Sequence, residues 1–491
     1  MSHAETAPER GAAAPPTNLV VVVLAFGGIV VSLMQTLVIP LVPELPRLLD
    51  APATGTAWVV TVTLLGSAVA TPSAGRLGDM YGKRRVLLAS LVLLTVGSVI
   101  AALSDSLAPM IVGRALQGLS AGVIPLGISI MRDELPSERL GSAIALMSAS
   151  LGIGGALGLP AAAFLAEYTD WHVLFWTSGA LGAVAALVVL AVVPESSVRT
   201  GGRFDLLGAV GLSIGLICLL LPISKGGDWG WGSGPVIGLF VAAVIVLLLW
   251  GLWETRSTRP LVDLRVSARR QVLLTNLAST VFGFAMFAMS LVIPQLLQLP
   301  EAAGYGMGQG MVVVGLVMAP SGLVMMAMAP VSARISKLYG PKVTLMVGAV
   351  VVAIGYALNI ALMSAIWHLV LISSVIGVGV GLAYGAMPAL IMAAVPVSET
   401  GAANSLNTLM RSIGTSSASA IAGVILAQMT VSFGPVSFPS QTGFRLVMGI
   451  GAGSAIGALL IAAFLPKQRS VSEGSGTRAA EEKEPVGEAT T

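Results

Sequence analysis

From residue 20 to residue 465 the chain alternates between apolar runs of about 20 residues and short polar segments. A run of that length crosses a ~30 Å hydrocarbon core as a helix. Fourteen are read, over 20–42, 57–75, 86–103, 108–130, 142–165, 173–193, 206–223, 235–253, 272–293, 310–330, 343–363, 368–395, 402–427 and 444–465. Several contain proline and many contain glycine, which membrane helices tolerate. The least sharply marked boundary is Ser364–Trp367, between the eleventh and twelfth runs. Residues 1–18 and 467–491 are polar and are expected to be disordered tails. The first run has no basic lead-in and no small-residue cleavage pattern after it, so it reads as a span and not a signal peptide.

The polar segments give the crossings a direction. Of 26 basic residues, 21 fall on one side of the expected topology. Three (Arg47, Lys225 and Arg445) fall on the other, and Arg114 and Arg411 lie within spans. Cytoplasmic segments carry the basic excess, so both chain ends are expected in the cytoplasm of a multi-pass cell-membrane protein. The spans group as six, two and six. The expected units are an N-terminal half over 19–200, an inserted pair over 201–255 and a C-terminal half over 256–466. Arg203-Phe204-Asp205, a Gly/Trp-rich loop over 226–232 and the charged stretch from Glu254 to Arg270 mark the joints.

Composition agrees with an all-α membrane protein. The 491 residues are 55% hydrophobic and 10% charged, against about 25% charged in a typical soluble chain. The net charge of +3 sits in separated clusters, which argues against a nucleic-acid partner. One cysteine, Cys218, and three distant histidines, His3, His172 and His368, exclude a disulfide framework and a zinc-type spacing. No metal or cofactor is expected. A membrane enzyme is disfavoured because no His/Asp/Glu cluster and no nucleotide loop stands out. The tails are too short for signalling domains.

Between the second and third spans the chain reads Gly75-Arg-Leu-Gly78-Asp79-Met-Tyr-Gly82-Lys83-Arg84-Arg85. This segment resembles the GxLaDrxGrkxxl loop of the major facilitator superfamily. Gly75 and Gly78 permit close helix approach. Asp79 can pair with a base or cap a helix N-terminus. Lys83, Arg84 and Arg85 are expected to hold the loop on the anionic cytoplasmic face. A degenerate echo, Pro330 to Lys342 with Gly340 and no Asp, supports two related halves. Arg114-Ala-Leu-Gln117-Gly118 in the fourth span looks like the family's RxxQGxgxA motif, whose Arg is linked to proton coupling. Gly154, Gly158 and Pro160 in the fifth span are similar to the exporter signature GxxxGPxxGG, with the Pro displaced by one and Ala162-Ala163 in place of the final glycines. Trp58-Val-Val-Thr, Trp171-His172, Arg203-Phe-Asp205 and Glu399 to Arg411 extend the resemblance to the fourteen-span drug:proton antiporter branch.

That resemblance implies an exporter of amphipathic drugs or antibiotics, driven by protons through alternating access. It is expected to work as a monomer with three partners: the substrate, protons and the lipid bilayer. The branch usually carries an Asp in the first span, where this chain has Met34, and an Arg where it has His172. Without the Asp, the proton carrier is sought nearer a surface. Glu44, Asp79, Asp133 and Glu134 are the candidates, with Arg114 as the coupling base. Asp133 is expected to pair locally with Arg132, and Glu44 to be a solvated loop charge. A cavity without a fixed negative centre favours neutral, zwitterionic or anionic substrates. Met34, Gln35, Gln117, Phe282, Phe284, Phe287, Gln295, Gln298 and Arg411 are expected to line it. The alternatives are an importer or facilitator of a small organic solute, or an exporter without proton coupling.

Overall fold

Backbone polar groups have no water to bond inside a bilayer, so each apolar run closes its own hydrogen bonds as a helix. A computed structural model describes residues 17–42, 44–196, 198–258, 260–433 and 436–466. Fourteen helices in it are long and apolar enough to cross a membrane. They are α1 Thr17–Leu37, α2 Trp58–Tyr81, α3 Lys83–Ala102, α4 Leu107–Glu134, α5 Ser137–Tyr168, α6 His172–Val192 and α7 Leu206–Trp229. They continue as α8 Gly234–Arg256, α9 Arg270–Gln298, α10 Met311–Tyr339, α11 Pro341–Ala361, α12 Ile366–Met392, α13 Thr400–Gln428 and α14 Gln441–Ala463. Residues 1–16 and 467–491, most of the expected tails, lie outside the described residues, and Thr17 and Asn18 already belong to α1.

Several helices outrun their apolar cores. The expected ends at 223 and 253 stop just short of Lys225 and Glu254, yet α7 and α8 carry both residues inside and bury them. α1 ends at Leu37, earlier than expected, and one 3-10 turn over Ile39–Leu41 follows, with proline in its first positions. α4 narrows to 3-10 geometry over Leu119–Gly122, and α10 bends at Met328, just before Pro330. One departure from the all-helical expectation is a hairpin between α13 and α14. β1 Thr430–Phe433 pairs antiparallel with β2 Val436–Pro439, Val431 opposite Phe438.

α1–α6 pack as one six-helix bundle and α9–α14 as another. Small residues set the spacing, as expected where apolar burial no longer drives helices together. Gly97 of α3 and Gly113 of α4 face each other. A Cβ on either would lie 2.5–2.6 Å from the other's carbonyl oxygen. Gly348 of α11 and Gly379 of α12 repeat this crossing at 2.6–2.7 Å in the second bundle. The α2–α3 and α10–α11 joints also match. Gly82 and Gly340 turn them at φ +116° and +88°, a region glycine enters without strain. The bundles meet along α2 against α13 and along α5 against α10. α7 docks on α2 and α13 and carries α8 on its outer side. Of α8 only Val236, Ala243 and Glu254 are buried, so the inserted pair stands at the periphery.

Candidate functional site

The start of α1 meets the α4–α5 joint, where Arg139 donates to Asn18, and the end of α4 meets the α2–α3 joint, where Lys83 pairs with Asp133. This basic face holds a polar latch between the bundles. Gly75 lets α2 touch α13, for a Cβ there would sit 2.5 Å from the Gly401 carbonyl oxygen and would strike Ser405. That contact delivers buried Asp79 to the first turn of α13. Its carboxylate accepts from the Gly401 amide at 3.1 Å and the Ala402 amide at 2.8 Å. Two free amides and a helix N-terminus form a natural seat for a negative charge. Arg132 of α4 crosses to the same place. It donates to Thr400 Oγ1 at 2.7 Å and to the Val395 carbonyl at 3.1 Å.

Behind the latch, Lys83 Nζ lies 2.7 Å from Asp133 Oδ2 and 3.8 Å from Asp79 Oδ1, with all three side chains almost fully buried. Two expectations are corrected here. Asp133 pairs with Lys83 and accepts from Ser196 Oγ, and Arg132 is committed to the other bundle. Of the basic run, Lys83 turns inward, while the Arg85 side chain stays 69% exposed. Lys83 is buried between two carboxylates, Arg84 donates to the Leu190 carbonyl at the end of α6, and Arg85 stands 3.5 Å from Glu195. Gly78 makes room for Leu126, and Gly82 for the Glu195 carboxylate. Glu134 is half-buried and forms no ion pair among the described residues.

Arg114 is buried within the first bundle. It donates to Gln117 Oε1 at 2.6 Å and to the Val59 carbonyl at 3.3 Å, and its Nη1 reaches the Met34 thioether at 3.5 Å. Gln117 passes the network to Ser98 Oγ at 2.7 Å. Met34, standing where the branch carries Asp, therefore touches Arg114 directly. Gly154 and Gly158 seat α5 on Ser32 and Thr36 of α1, and Pro160 fills the place left open by Gly315 of α10.

A small enclosed cavity of about 10 Å³, room for roughly one water, lies between the bundles. Ile124, Ile128, Ser148, Leu151, Pro388, Asn404, Asn407, Thr408 and Arg411 line it. Of the residues expected around the cavity, only Arg411 is among them. Met34 and Gln117 belong to the Arg114 network, and Phe282 is core, packed 6.0 Å from Tyr384 between ring centroids. Phe284, Phe287 and Gln295 are half-buried on α9, and Gln35 and Gln298 are exposed. Glu44 pairs with Arg47 at 3.0 Å on an exposed loop, away from either buried arginine. Asn404, Asn407, Thr408 and Arg411 share one helix face at spacings of three, four and seven, a pattern present in the sequence. On the opposite face His172 bridges Asp170 and Asp105. The His172 amide and ring hold the Asp170 carboxyl below its ordinary range.

This architecture has a match over most of the chain. The profile of the Major Facilitator Superfamily matches residues 24–419. The chain belongs to the Major Facilitator Superfamily. Among its relatives is an uncharacterized MFS-type transporter of Mycobacterium tuberculosis, 26% identical over 417 residues. The alignment covers 83% of this chain but only 59% of that longer relative. The tetracenomycin C resistance and export protein of Streptomyces glaucescens is 26% identical over 469 residues, with 92% of this chain and 84% of the relative covered. The crystal structure of the human organic anion transporter MFSD10 (TETRAN) superposes with a TM-score of 0.65 at 16% identity, covering 91% of this chain and all of that one. That likeness carries the superfamily fold: two six-helix halves, here with the α7–α8 pair inserted between them.

Proposed function

We propose that this multi-pass membrane protein exports amphipathic small molecules from the cytoplasm in exchange for protons, by alternating access between its halves. The observation that carries this reading is the Asp79 latch on α13. Opening the basic face requires α2 and α13 to separate, which breaks the bonds from Gly401 and Ala402 and strands Arg132. Hydrogen bonds to a charged acceptor are worth about 1.5–3 kcal/mol each. The latch therefore sets a two-state equilibrium that one proton can tip. Protonation of Asp79 removes the charge that holds the α13 amides, and Lys83 and Asp133 lie next in line. The basic face is the cytoplasmic one, on the positive-inside excess. The export direction draws support from a relative named for resistance and export.

A second reading is export without proton coupling. It is favoured by Met34, which gives Arg114 a thioether where a titrating carboxylate would serve coupling. Everted vesicles with an imposed pH gradient and a panel of dyes and antibiotics separate the two. Antiport releases protons when substrate is added, and collapsing the gradient stops accumulation. Undiminished accumulation after collapse would refute coupling, and no accumulation of any compound under either condition would refute export.

A further inference from the structure

The two buried arginines are partnered very differently. Arg114 uses its donors on Gln117, the Val59 carbonyl and Met34. Arg411 is buried and its side chain forms no hydrogen bond among the described residues. No carboxylate there stands within ion-pair distance of it. Among the described residues its guanidinium carbon lies 4.4 Å from the centroid of the Tyr384 ring. That contact takes up no N–H group in a hydrogen bond, so the guanidinium donors stay without an acceptor among the described residues. A membrane-embedded cation without a counter-charge is expensive to keep. This one opens on the cavity between the halves.

We propose that Arg411 anchors the anionic head group, a carboxylate or sulfonate, of an amphipathic substrate. The inference rests on the export reading and names the substrate class of the same site. Guanidinium N–H pairs fit a planar carboxylate in two parallel hydrogen bonds. Asn407 lies one turn away on the same helix face, and Ile124, Ile128 and Leu151 offer an apolar wall to the rest of the molecule. The cavity is too small for such a head group while the latch is closed, so the anion enters as α13 parts from α2 and α4. Gly283 supports the anchor from behind, because a Cβ there would meet the Arg411 backbone and its Cγ at 3.1 Å. An anion leaving an inside-negative cell also moves with the membrane potential.

The test compares dansyl-leucine, an amphipathic carboxylate, with its neutral methyl ester. Dansyl fluorescence reports binding to the purified full-length protein in detergent, and the same two dyes are offered to everted vesicles. The expected result is acid binding at least tenfold tighter than ester binding. Arg411→Gln brings the two to parity, and Arg411→Lys keeps most of the preference. Equal binding of acid and ester by the native protein overturns the proposal. So does a preference that survives in Arg411→Gln. If that variant fails to fold, the native acid-to-ester ratio decides alone. Charge-selective binding without transport would sink the export reading and leave the anion site standing. Transport without charge selectivity would do the reverse.

Discussion

Asp79 and Gly401 are 322 residues apart in the chain, yet the Asp79 carboxylate accepts the Gly401 amide at 3.1 Å. The bond joins the two halves where α2 crosses α13. It exists because Gly75, one turn earlier on α2, has no side chain to hold the helices apart.

Gly75 therefore gives a first prediction. Gly75→Ala places a methyl carbon 2.5 Å from a backbone oxygen, and neither helix can yield without shifting. The latch should open, with transport falling at least tenfold in vesicles while the protein still inserts. Gly155→Ala is the control, because a Cβ there meets nothing within 4 Å. Equal transport by the two variants would show that close packing at Gly75 does not matter.

Lys83 gives a second. It is the buried cation between Asp79 and Asp133, and removing one member of such a group leaves uncompensated charge costing about 3–5 kcal/mol. Lys83→Met should lower the melting temperature in detergent, and adding Asp133→Asn should recover part of the loss. A double variant as unstable as the sum of both singles would mean the groups are not coupled.

Arg114 gives a third. Arg114→Ala should abolish vesicle transport and leave membrane insertion intact; normal transport would reduce Arg114 to a packing residue. Met34→Asp puts a carboxyl against the guanidinium that now meets a thioether. That variant should melt above Met34→Asn at neutral pH, and the difference should vanish on acidification as the new carboxyl protonates. A melting temperature no higher than that of Met34→Asn would mean the pair does not form.

The crossings were legible because an apolar run of about 20 residues has one solution in lipid. Their ends were less so, because Lys225 and Glu254 looked like stop signals. Lys225 lies inside α7, held by Asp228 at 3.2 Å and the Trp58 ring at 5.7 Å. Glu254 is packed inside α8 near Asp205, which would lie 2.8 Å from a Cβ on Gly208 as Glu254 does at 2.6 Å. The β1–β2 hairpin is too short to stand out in a loop. At the site, Asp79, Lys83 and Asp133 could be picked from the sequence, but the α13 amides that Asp79 meets could not. Gly401 and Ala402 act through backbone amides, which any residue other than proline offers, whereas Thr400 acts through its hydroxyl. Most of the expected cavity residues lie elsewhere in this closed arrangement for a related reason. Apolar periodicity says little about which face of an all-apolar helix such as α9 turns inward, so Phe282 became core and Gln298 surface. The spacing from Asn404 to Arg411 was the readable clue.

The most direct test of the latch is a distance measured across the basic face. Tyr81 at the end of α2 and Tyr339 at the end of α10 are 48% and 68% exposed, one in each half. Spin labels on Tyr81→Cys and Tyr339→Cys, with Cys218→Ser to remove the one native thiol, report that separation by double electron–electron resonance. Asp79→Asn weakens the seat at α13 by about 2 kcal/mol, roughly a 30-fold change in the ratio of closed to open molecules. A latch held by Asp79 gives a short, narrow distance distribution in the native sequence and a longer population in Asp79→Asn. Identical distributions in the two proteins would contradict it.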